Sequence, residues 1–260
     1  MATDVAVQVV NYRTRDHLGP CLESVLAALA QTGVPARVLV YDNASGDDLS
    51  ELEKRFAGRV EFVAGTENIG FGAGHNRLAE RSDARLICCV NPDVTIDRGN
   101  PFPALLAAFA DPRVAAAGPR LVTPDGCTQR WDHGELRGVR ARVANGAGHA
   151  HWRERAATTT VAWVSGAFLM VRREEFAAAG GFDEGFFLYK EEEDLCLRLR
   201  HRGGRVVYVP AVAATHVGGV VAGRDPELLR TSTARFVAKH HPGLRRRLLD
   251  VVYRHVTRRI

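Results

Sequence analysis

The sequence predicts an α/β fold in which a mostly parallel central sheet is flanked by helices. Short apolar runs alternate with helical patterns through the first hundred residues, as in consecutive β-α-β units. Hydrophobic residues make up 46% of the 260 residues, so one large domain can bury a sizeable core. These two observations together define the predicted architecture.

In the first half of the chain, predicted strands and helices follow one another regularly. Short apolar runs predict the strands, and Leu, Val and Ala at helical spacing predict the helices. Parallel strands joined in this way bind ligands beyond their carboxyl ends. The predicted strands are 5–11, 37–42, 60–64 and 86–90, and the predicted helices are 18–30, 49–56 and 72–80.

The second half is interrupted by a segment without periodicity. Residues 128–160 contain six arginines and three acids among glycines and alanines, and we expect a long irregular or partly mobile segment. Regular structure is predicted to return at 161–171, with a helix at 191–202, strands at 205–209 and 212–216, and terminal helices at 226–239 and 244–256.

The net charge of +5 is compatible with phosphate-bearing ligands, acidic membranes or nucleic acid. Nucleic acid is the least supported partner, because the arginines are not interleaved with aromatic residues. Residues 244–260 contain six arginines and one acid, Asp250. This part is therefore either a solvated helix or a helix that lies on anionic lipid.

The composition predicts neither export nor a membrane span. The chain has no run of about 18 apolar residues, and its first residues lack a basic leader and a cleavage site. The five cysteines show no metal-ligand spacing, which favours reduced thiols. We expect a cytoplasmic protein, with peripheral contact at the inner face of the membrane as the alternative for the basic C-terminal tail.

Polar residues follow each of the first four predicted strands. Because the carboxyl ends of parallel strands meet at one edge, these residues are expected to form a cleft of carboxylates and amides. They are Asn11-Tyr12, Asp42-Asn43-Ala44-Ser45, Glu67-Asn68 and Asn91-Pro92-Asp93.

Two of these segments suit a nucleotide. The Asp42 carboxylate can accept hydrogen bonds from a base N–H or a ribose hydroxyl, although Asp is also a common turn residue. The glycine-rich loop 68–76 precedes a predicted helix, whose N-terminal N–H groups favour anions, but it can equally be a tight turn. Its spacing matches neither a dinucleotide-binding loop nor a P-loop.

Asp93 is a candidate metal ligand. Pro92 stops the preceding strand and stiffens the turn, which holds Asp93 at the edge of the cleft. Mg²⁺ or Mn²⁺ needs only one or two carboxylates when substrate phosphates supply further ligands. His216, at the end of a later predicted strand, is either a structural residue or a second ligand.

Four consecutive acids, Glu191 to Asp194, begin the predicted helix 191–202. Attraction to the positive N-terminal end of the helix dipole can explain one or two acids at this position, but it explains a run of four less well. The alternative is that one carboxylate acts as a general base towards a sugar or alcohol hydroxyl.

The ordered set of motifs resembles the family-2 glycosyltransferases with the GT-A fold, and the rhamnosyltransferase-like subgroup comes closest. The match spans about residues 5–219. Its pieces are Val9-Val10-Asn11-Tyr12, Asp42-Asn43-Ala44-Ser45, the loop 68–76, Asn91-Pro92-Asp93, Val164-Ser165-Gly166-Ala167, Gly181-Phe182-Asp183-Glu184-Gly185-Phe186-Phe187, Tyr189 through Leu195, and His216.

The resemblance implies a Rossmann-like GT-A domain at 1–223, with a nucleotide-binding half at 1–98 and an acceptor and catalytic half at 99–223. Residues 224–260 would form a helical basic tail. Asp93 and His216 would hold Mn²⁺ or Mg²⁺, and Gly166 and Asp194 would border the donor sugar and acceptor. The implied nucleotide-binding residues are Asn11, Tyr12, Asp42, Asn43, Asn68, Gly70, Asn76 and Asn91.

The implied catalytic base departs from the family pattern. The family commonly reads Glu-Asp-x-Asp at this point, and its Asp is the base, whereas this chain reads Glu191-Glu192-Glu193-Asp194. Glu192 occupies the base position with a side chain one methylene longer. Either Glu192 or its neighbour Glu191 is therefore the expected base.

The resemblance implies an inverting transfer of a sugar from a nucleoside diphosphate to an acceptor hydroxyl. It favours dTDP-L-rhamnose as donor, followed by other dTDP- or UDP-sugars. The expected acceptor is a glycan, a lipid-linked sugar or a secondary metabolite. Two alternatives are a nucleotidyltransferase and a non-catalytic sugar-nucleotide-binding protein. Nucleotidyltransferases usually carry a basic glycine-rich segment near the N-terminus, and residues 11–19 show none. A homodimer is left open.

Overall fold

The computed structural model describes residues 4–136, 141, 144, 151–219 and 225–240. The strands are β1 (Val5–Asn11), β2 (Ala36–Asp42), β3 (Val60–Ala64), β4 (Leu86–Val90), β5 (Val94–Thr95), β6 (Val114–Val122), β7 (His133–Gly134), β8 (Thr159–Thr160), β9 (Trp163–Val164), β10 (Phe168–Arg172) and β11 (Arg205–His216). The helices are α1 (Arg15–Ala30), α2 (Ser50–Arg55), α3 (Phe71–Ala79), α4 (Phe102–Ala108), α5 (Arg173–Ala178), α6 (Glu191–His201) and α7 (Pro226–His240).

One large sheet runs through the described part of the chain in the order β3-β2-β1-β4-β10-β6-β11-β5, and β8 pairs with β11. Strands β3, β2, β1 and β4 are mutually parallel. Strand β10 is antiparallel to both of its neighbours, while β6 and β11 are parallel. The predicted α/β fold with a mostly parallel sheet is therefore confirmed.

Both faces of the sheet are covered, which explains why its first strands read as continuous apolar runs. Successive side chains of a strand point to opposite faces. In β1, Val7 and Val9 join the core that contains Leu22 of α1, whereas Ala6 and Val10 join the core that contains Leu78 of α3. The strand ends that follow these buried runs are consequently held in a fixed arrangement.

Strand β11 differs from the sequence-based prediction. Strands were expected at 205–209 and 212–216, but the chain forms one strand with a register shift between Val209 and Ala213 against β6. Pro210 falls within this shift, where a missing N–H is tolerated. The irregularity bends the strand without ending it, and β11 continues to His216.

Several other elements bear on the predictions. The described parts of 128–160 include β7 and β8, and no pattern predicted β5, β6, α4 or α5.

All five cysteines are free thiols. No helix among the described residues is long and apolar enough to cross a bilayer. The predicted helix at 244–256 lies outside the described residues.

Candidate active site

The ends of β1 and β2 carry a connected polar cluster. Asn11 pairs in register with Asp42, and its Nδ2 donates to Oδ1 of Asp42 at 2.8 Å. The Ser45 hydroxyl donates to the same oxygen at 2.6 Å. Oδ2 of Asp42 receives a longer hydrogen bond, 3.4 Å, from the Ser45 N–H. The cluster thus fixes the carboxylate through one oxygen and leaves the other more open to a ligand.

Tyr12 follows this cluster and is half-buried. The guanidinium carbon of Arg13 lies 5.2 Å from the centre of the Tyr12 ring. Arg13 adopts a left-handed backbone conformation, with φ of 57°. The chain therefore turns sharply after β1 and keeps a flat aromatic surface beside Asn11.

Asn43 and Asn68 shape the glycine-rich loop. Nδ2 of Asn43 donates to the Gly70 carbonyl at 3.1 Å, and its Oδ1 accepts from the Ile69 N–H at 2.8 Å. Oδ1 of Asn68 accepts from the Gly70 N–H at 3.0 Å. Gly70 has a φ of 89°, and a Cβ there would lie 2.4 Å from the Phe187 carbonyl oxygen. The loop is therefore held against Phe187 in a form that requires glycine.

Asn76 makes its hydrogen bonds away from the Asp42 cluster. Its Nδ2 donates to the Phe182 carbonyl and its Oδ1 accepts from the Phe182 N–H, both at 2.9 Å. Nδ2 also lies 3.1 Å from Oε1 of Glu184. The structure thus brings Asn76 to the segment that precedes α6, and the side chain ties α3 to that segment.

Asp93 and His216 meet where β5 pairs with the end of β11. Asp93 is 7% exposed, and its Oδ1 lies 3.4 Å from Nε2 of His216. Its Oδ2 accepts from the Gly218 N–H at 2.8 Å. Burial opposes ionisation, but His216 and the Gly218 N–H together hold the pKa of Asp93 below its usual value. Asp93 is therefore a buried, charged carboxylate.

Asn91 adds an amide to this pair. Its Nδ2 lies 3.4 Å from Nε2 of His216, and its buried Oδ1 has no hydrogen-bond partner among the described residues. Buried acceptors normally have a partner. A carboxylate and an imidazole, with the Asn91 amide beside them, fit a hard divalent cation that keeps open positions for phosphate oxygens.

The loop after β9 connects this pair to the acidic helix. The Asn91 N–H donates to the Ala167 carbonyl at 2.9 Å. Next to Ala167, the backbone of Gly166 lies close enough to the Glu192 carboxyl to limit the rise in its pKa. A Cβ on Gly166 would lie 3.2 Å from the Phe71 ring and 3.5 Å from Cβ of Glu192. Gly166 therefore lies between the start of α3 and the start of α6.

Glu192 has the protonation behaviour of a general base. Burial and the neighbouring Glu193 carboxylate raise the pKa of Glu192 to about 7. Lys190 limits the rise, but its Nζ is bound to Oε1 of Glu193 at 2.6 Å. A base whose pKa lies near the working pH transfers protons most effectively.

Glu191 lies in a different environment. Its side chain is 3% exposed, and Oε2 has no hydrogen-bond partner within the described ranges. Burial and the Glu192 charge raise the pKa of Glu191 well above its usual value. Its Cβ lies 3.6 Å from the position of a Cβ built on Gly72. Glu191 is therefore packed against α3 as a neutral acid.

The Asp194 carboxylate is directed to α7. It is fully buried, and its Oδ2 accepts from Nε of Arg198 at 2.8 Å. Its Oδ1 lies 2.7 Å from Nζ of Lys239 and 2.7 Å from Nε2 of His240. The sequence-based prediction placed Asp194 beside the sugars, whereas the structure places it in an ion-pair network that joins α6 to α7.

Asp194→Asn is expected to lower the free energy of unfolding by about 2–3 kcal/mol, because Arg198 and Lys239 lose their buried counter-charge. Urea denaturation measures the change. Glu51→Gln is the matched control, since the exposed Arg15–Glu51 pair contributes at most about 1 kcal/mol. Equal values for the two variants would contradict the network. A raised donor KM in the folded Asp194→Asn protein would instead favour sugar contact.

The structure adds a residue that sequence reasoning missed. Gln129 is 2% exposed, and its Oε1 lies 2.8 Å from Nδ1 of His216. Gln129 lies in the segment 128–160, where the sequence showed no periodicity. A buried polar contact between residues so far apart in the chain leaves no local pattern.

Comparison with known proteins agrees with this geometry. The family model for glycosyl transferase family 2 matches residues 6–177. The chain belongs to this family. The N-acetylglucosaminyl-diphospho-decaprenol L-rhamnosyltransferase of Mycobacterium tuberculosis is 34% identical over 252 residues, which cover 86% of this chain and 82% of the relative. The chain is thus a nucleotide-sugar glycosyltransferase, and the resemblance to rhamnosyltransferases is confirmed.

Solved glycosyltransferases share the fold of this enzyme. GalNAc-T7, crystallised with UDP, GalNAc and Mn²⁺, superposes with a TM-score of 0.62 at 15% identity, over 83% of this chain and 44% of that protein. The mannosyltransferase PcManGT of Pyrobaculum calidifontis, in complex with GDP-Man and Mn²⁺, gives 0.60 at 17% identity, over 92% and 63%. The predicted GT-A fold of the glycosyltransferase is therefore confirmed.

Proposed function

We propose that this glycosyltransferase transfers L-rhamnose from a nucleoside diphosphate, dTDP first and UDP second, to a hydroxyl of a lipid-linked sugar. The observation that supports the proposal is that two groups lie on either side of the short loop after β9, which contains Gly166 and Ala167. One is the group of Asn91, Asp93 and His216, and the other is Glu192. The rhamnosyltransferase of Mycobacterium tuberculosis, whose name states a lipid-linked acceptor, supports both the sugar and the acceptor class.

Asp93 and His216 would hold Mn²⁺ or Mg²⁺ in this proposal. Oδ1 of Asp93 and Nε2 of His216 are close enough for both residues to hold one cation, and the Asn91 amide lies beside the same histidine nitrogen. A bound divalent cation supplies Lewis-acid neutralisation of the leaving diphosphate. Two structural neighbours were solved with Mn²⁺ and a nucleotide or nucleotide sugar, which supports this assignment.

The polar cluster of β1 and β2 would bind the nucleoside. Oδ2 of Asp42 is suited to accept from a base N–H, because Oδ1 is already occupied by Asn11 and Ser45. The half-buried Tyr12 ring gives the base a surface on which to stack. Asn43 and Asn68 act on the nucleotide through the backbone of the loop at Gly70, whose conformation they fix.

Glu192 would remove the acceptor proton. As the acceptor oxygen attacks the anomeric carbon, its proton passes to the Glu192 carboxylate, and the new carbon–oxygen bond forms opposite the diphosphate. The bond between the anomeric carbon and the diphosphate oxygen breaks, and its electron pair leaves with the nucleoside diphosphate. The configuration at the anomeric carbon is thereby inverted.

A thermal-shift series tests the donor. dTDP-L-rhamnose with Mn²⁺ is expected to raise Tm by about 5–10 °C at 100 times its Kd, because ligand that binds only the folded state stabilises it by about 2.7 kcal/mol. The same sugar nucleotide with EDTA, and GDP-mannose with Mn²⁺, are the controls and should give small shifts. A larger shift with GDP-mannose would contradict the donor. Equal shifts with and without EDTA would contradict the metal.

A further inference from the structure

The Gln129 side chain has its amide orientation fixed by two contacts. Its Nε2 donates to the backbone carbonyl of His216 at 2.7 Å, and its Oε1 lies 2.8 Å from Nδ1 of the same histidine. A carbonyl accepts only from a donor, so the NH₂ group must face that carbonyl. The atom that faces Nδ1 is therefore the amide oxygen.

This orientation determines the tautomer of His216. An amide oxygen can only accept, so the hydrogen of a neutral imidazole must be on Nδ1 and the lone pair on Nε2. Nε2 lies 3.4 Å from Oδ1 of Asp93, which is also electron-rich. Two such atoms repel each other unless a positive charge lies between them, which is a proton when the ring is an imidazolium and a cation when the ring is neutral. The arrangement is therefore suited to a cation.

The turn that carries Gln129 is anchored in the core. The Asp132 N–H donates to the Gln129 carbonyl at 3.2 Å. The buried Asp132 carboxylate accepts from the Tyr208 hydroxyl at 2.7 Å and from the Trp152 indole at 3.0 Å. The Asp132 carbonyl accepts from the Ser165 N–H at 2.9 Å, next to Gly166. One turn thus supports both His216 and the loop beside Glu192.

We propose that Gln129 is a positioning residue that fixes His216 with its Nε2 lone pair directed at the divalent cation. The inference rests on the proposed metal site. Partners that hold the second nitrogen of a metal-binding histidine typically contribute about 10–100-fold to metal affinity. A loss of that size is expected when Gln129 can no longer accept from Nδ1.

Mn²⁺ titration followed by electron paramagnetic resonance, with dTDP present and no sugar donor, tests this role. Gln129→Met, of similar size, is expected to raise the Kd for Mn²⁺ about 10–100-fold. Gln8→Met is the matched control, because Gln8 is also fully buried and lies 3.2 Å from Nδ1 of His75. That control is expected to lose stability and keep the affinity. Unchanged affinity in folded Gln129→Met would overturn the proposal.

A second measurement needs no metal and no variant. Long-range ¹⁵N–¹H spectra of the wild-type protein are expected to show His216 with a hydrogen on Nδ1, because this nitrogen faces the Gln129 amide oxygen. A neutral ring with its hydrogen on Nε2 and none on Nδ1 would overturn the proposal even if Gln129→Met failed to fold. A third outcome separates this proposal from the metal site itself. If wild-type His216 carries a hydrogen on Nδ1 but His216→Ala binds Mn²⁺ as tightly as wild type does, His216 is not a metal ligand. The contact between Nδ1 and Gln129 is then structural.

Discussion

Glu192→Gln is expected to lower kcat by about 10²–10⁴-fold, because glutamine cannot take the proton of the acceptor hydroxyl. The replacement keeps the length of the side chain and one oxygen that can accept hydrogen bonds. Donor binding should therefore remain within about twofold of wild type. Single-turnover kinetics with radiolabelled donor, together with the Kd for dTDP, separate the chemical step from binding.

The pH dependence of the wild-type enzyme checks the same assignment. Burial and the Glu193 carboxylate raise the pKa of Glu192 to about 7. A base works only when deprotonated, so kcat should rise with pH up to about 7 and level off above it. The residual activity of Glu192→Gln should lack this rise. A wild-type profile that is flat from pH 5.5 to about 8 would contradict the assignment.

Glu191→Gln is the matched control for the two adjacent glutamates. Glu191 is buried against α3 with a raised pKa, so the structure holds it as a neutral acid. Glutamine reproduces the shape and charge of that state, and the variant should keep nearly full activity. If Glu191→Gln lost more activity than Glu192→Gln, the roles of the two residues would be reversed.

Strands β1, β2 and β4 were predictable because both of their faces are largely buried. Such strands read as continuous apolar runs between turn residues. Strand β6 gave no such pattern, since it contains Ala115, Ala116, Ala117, Gly118 and Pro119, residue types that disfavour strands. Its place between β10 and β11 is determined by tertiary packing.

The sequence predicted that polar residues gather where the first strands end, but it did not predict what each of them contacts. Asn43 and Asn76 were expected at the nucleotide, but their amides hold the loop at Gly70 and the segment at Phe182. Asp194 was expected near the sugars and binds α7 instead. An asparagine that binds a ligand and one that holds a loop have the same local sequence context. Only the fold distinguishes them.

Asp93→Asn is expected to lower kcat/KM by about 10³-fold or more, because a Lewis acid contributes several kcal/mol and each 1.36 kcal/mol is a factor of ten. Asparagine still offers an oxygen to the Gly218 N–H, so the turn should keep its shape. The variant removes the negative charge beside His216. Its affinity for Mn²⁺ in the presence of dTDP should fall together with the activity.

Asp97→Asn controls for the loss of a carboxylate from the other end of the short strand β5. Asp97 is exposed, and its Oδ1 accepts from the Thr215 hydroxyl at 2.6 Å, one residue before His216. This variant should retain Mn²⁺ binding and most of its activity. If Asp93→Asn also retained both, the buried Asp93–His216 pair would be a structural contact. The leaving diphosphate would then have to be neutralised by other groups.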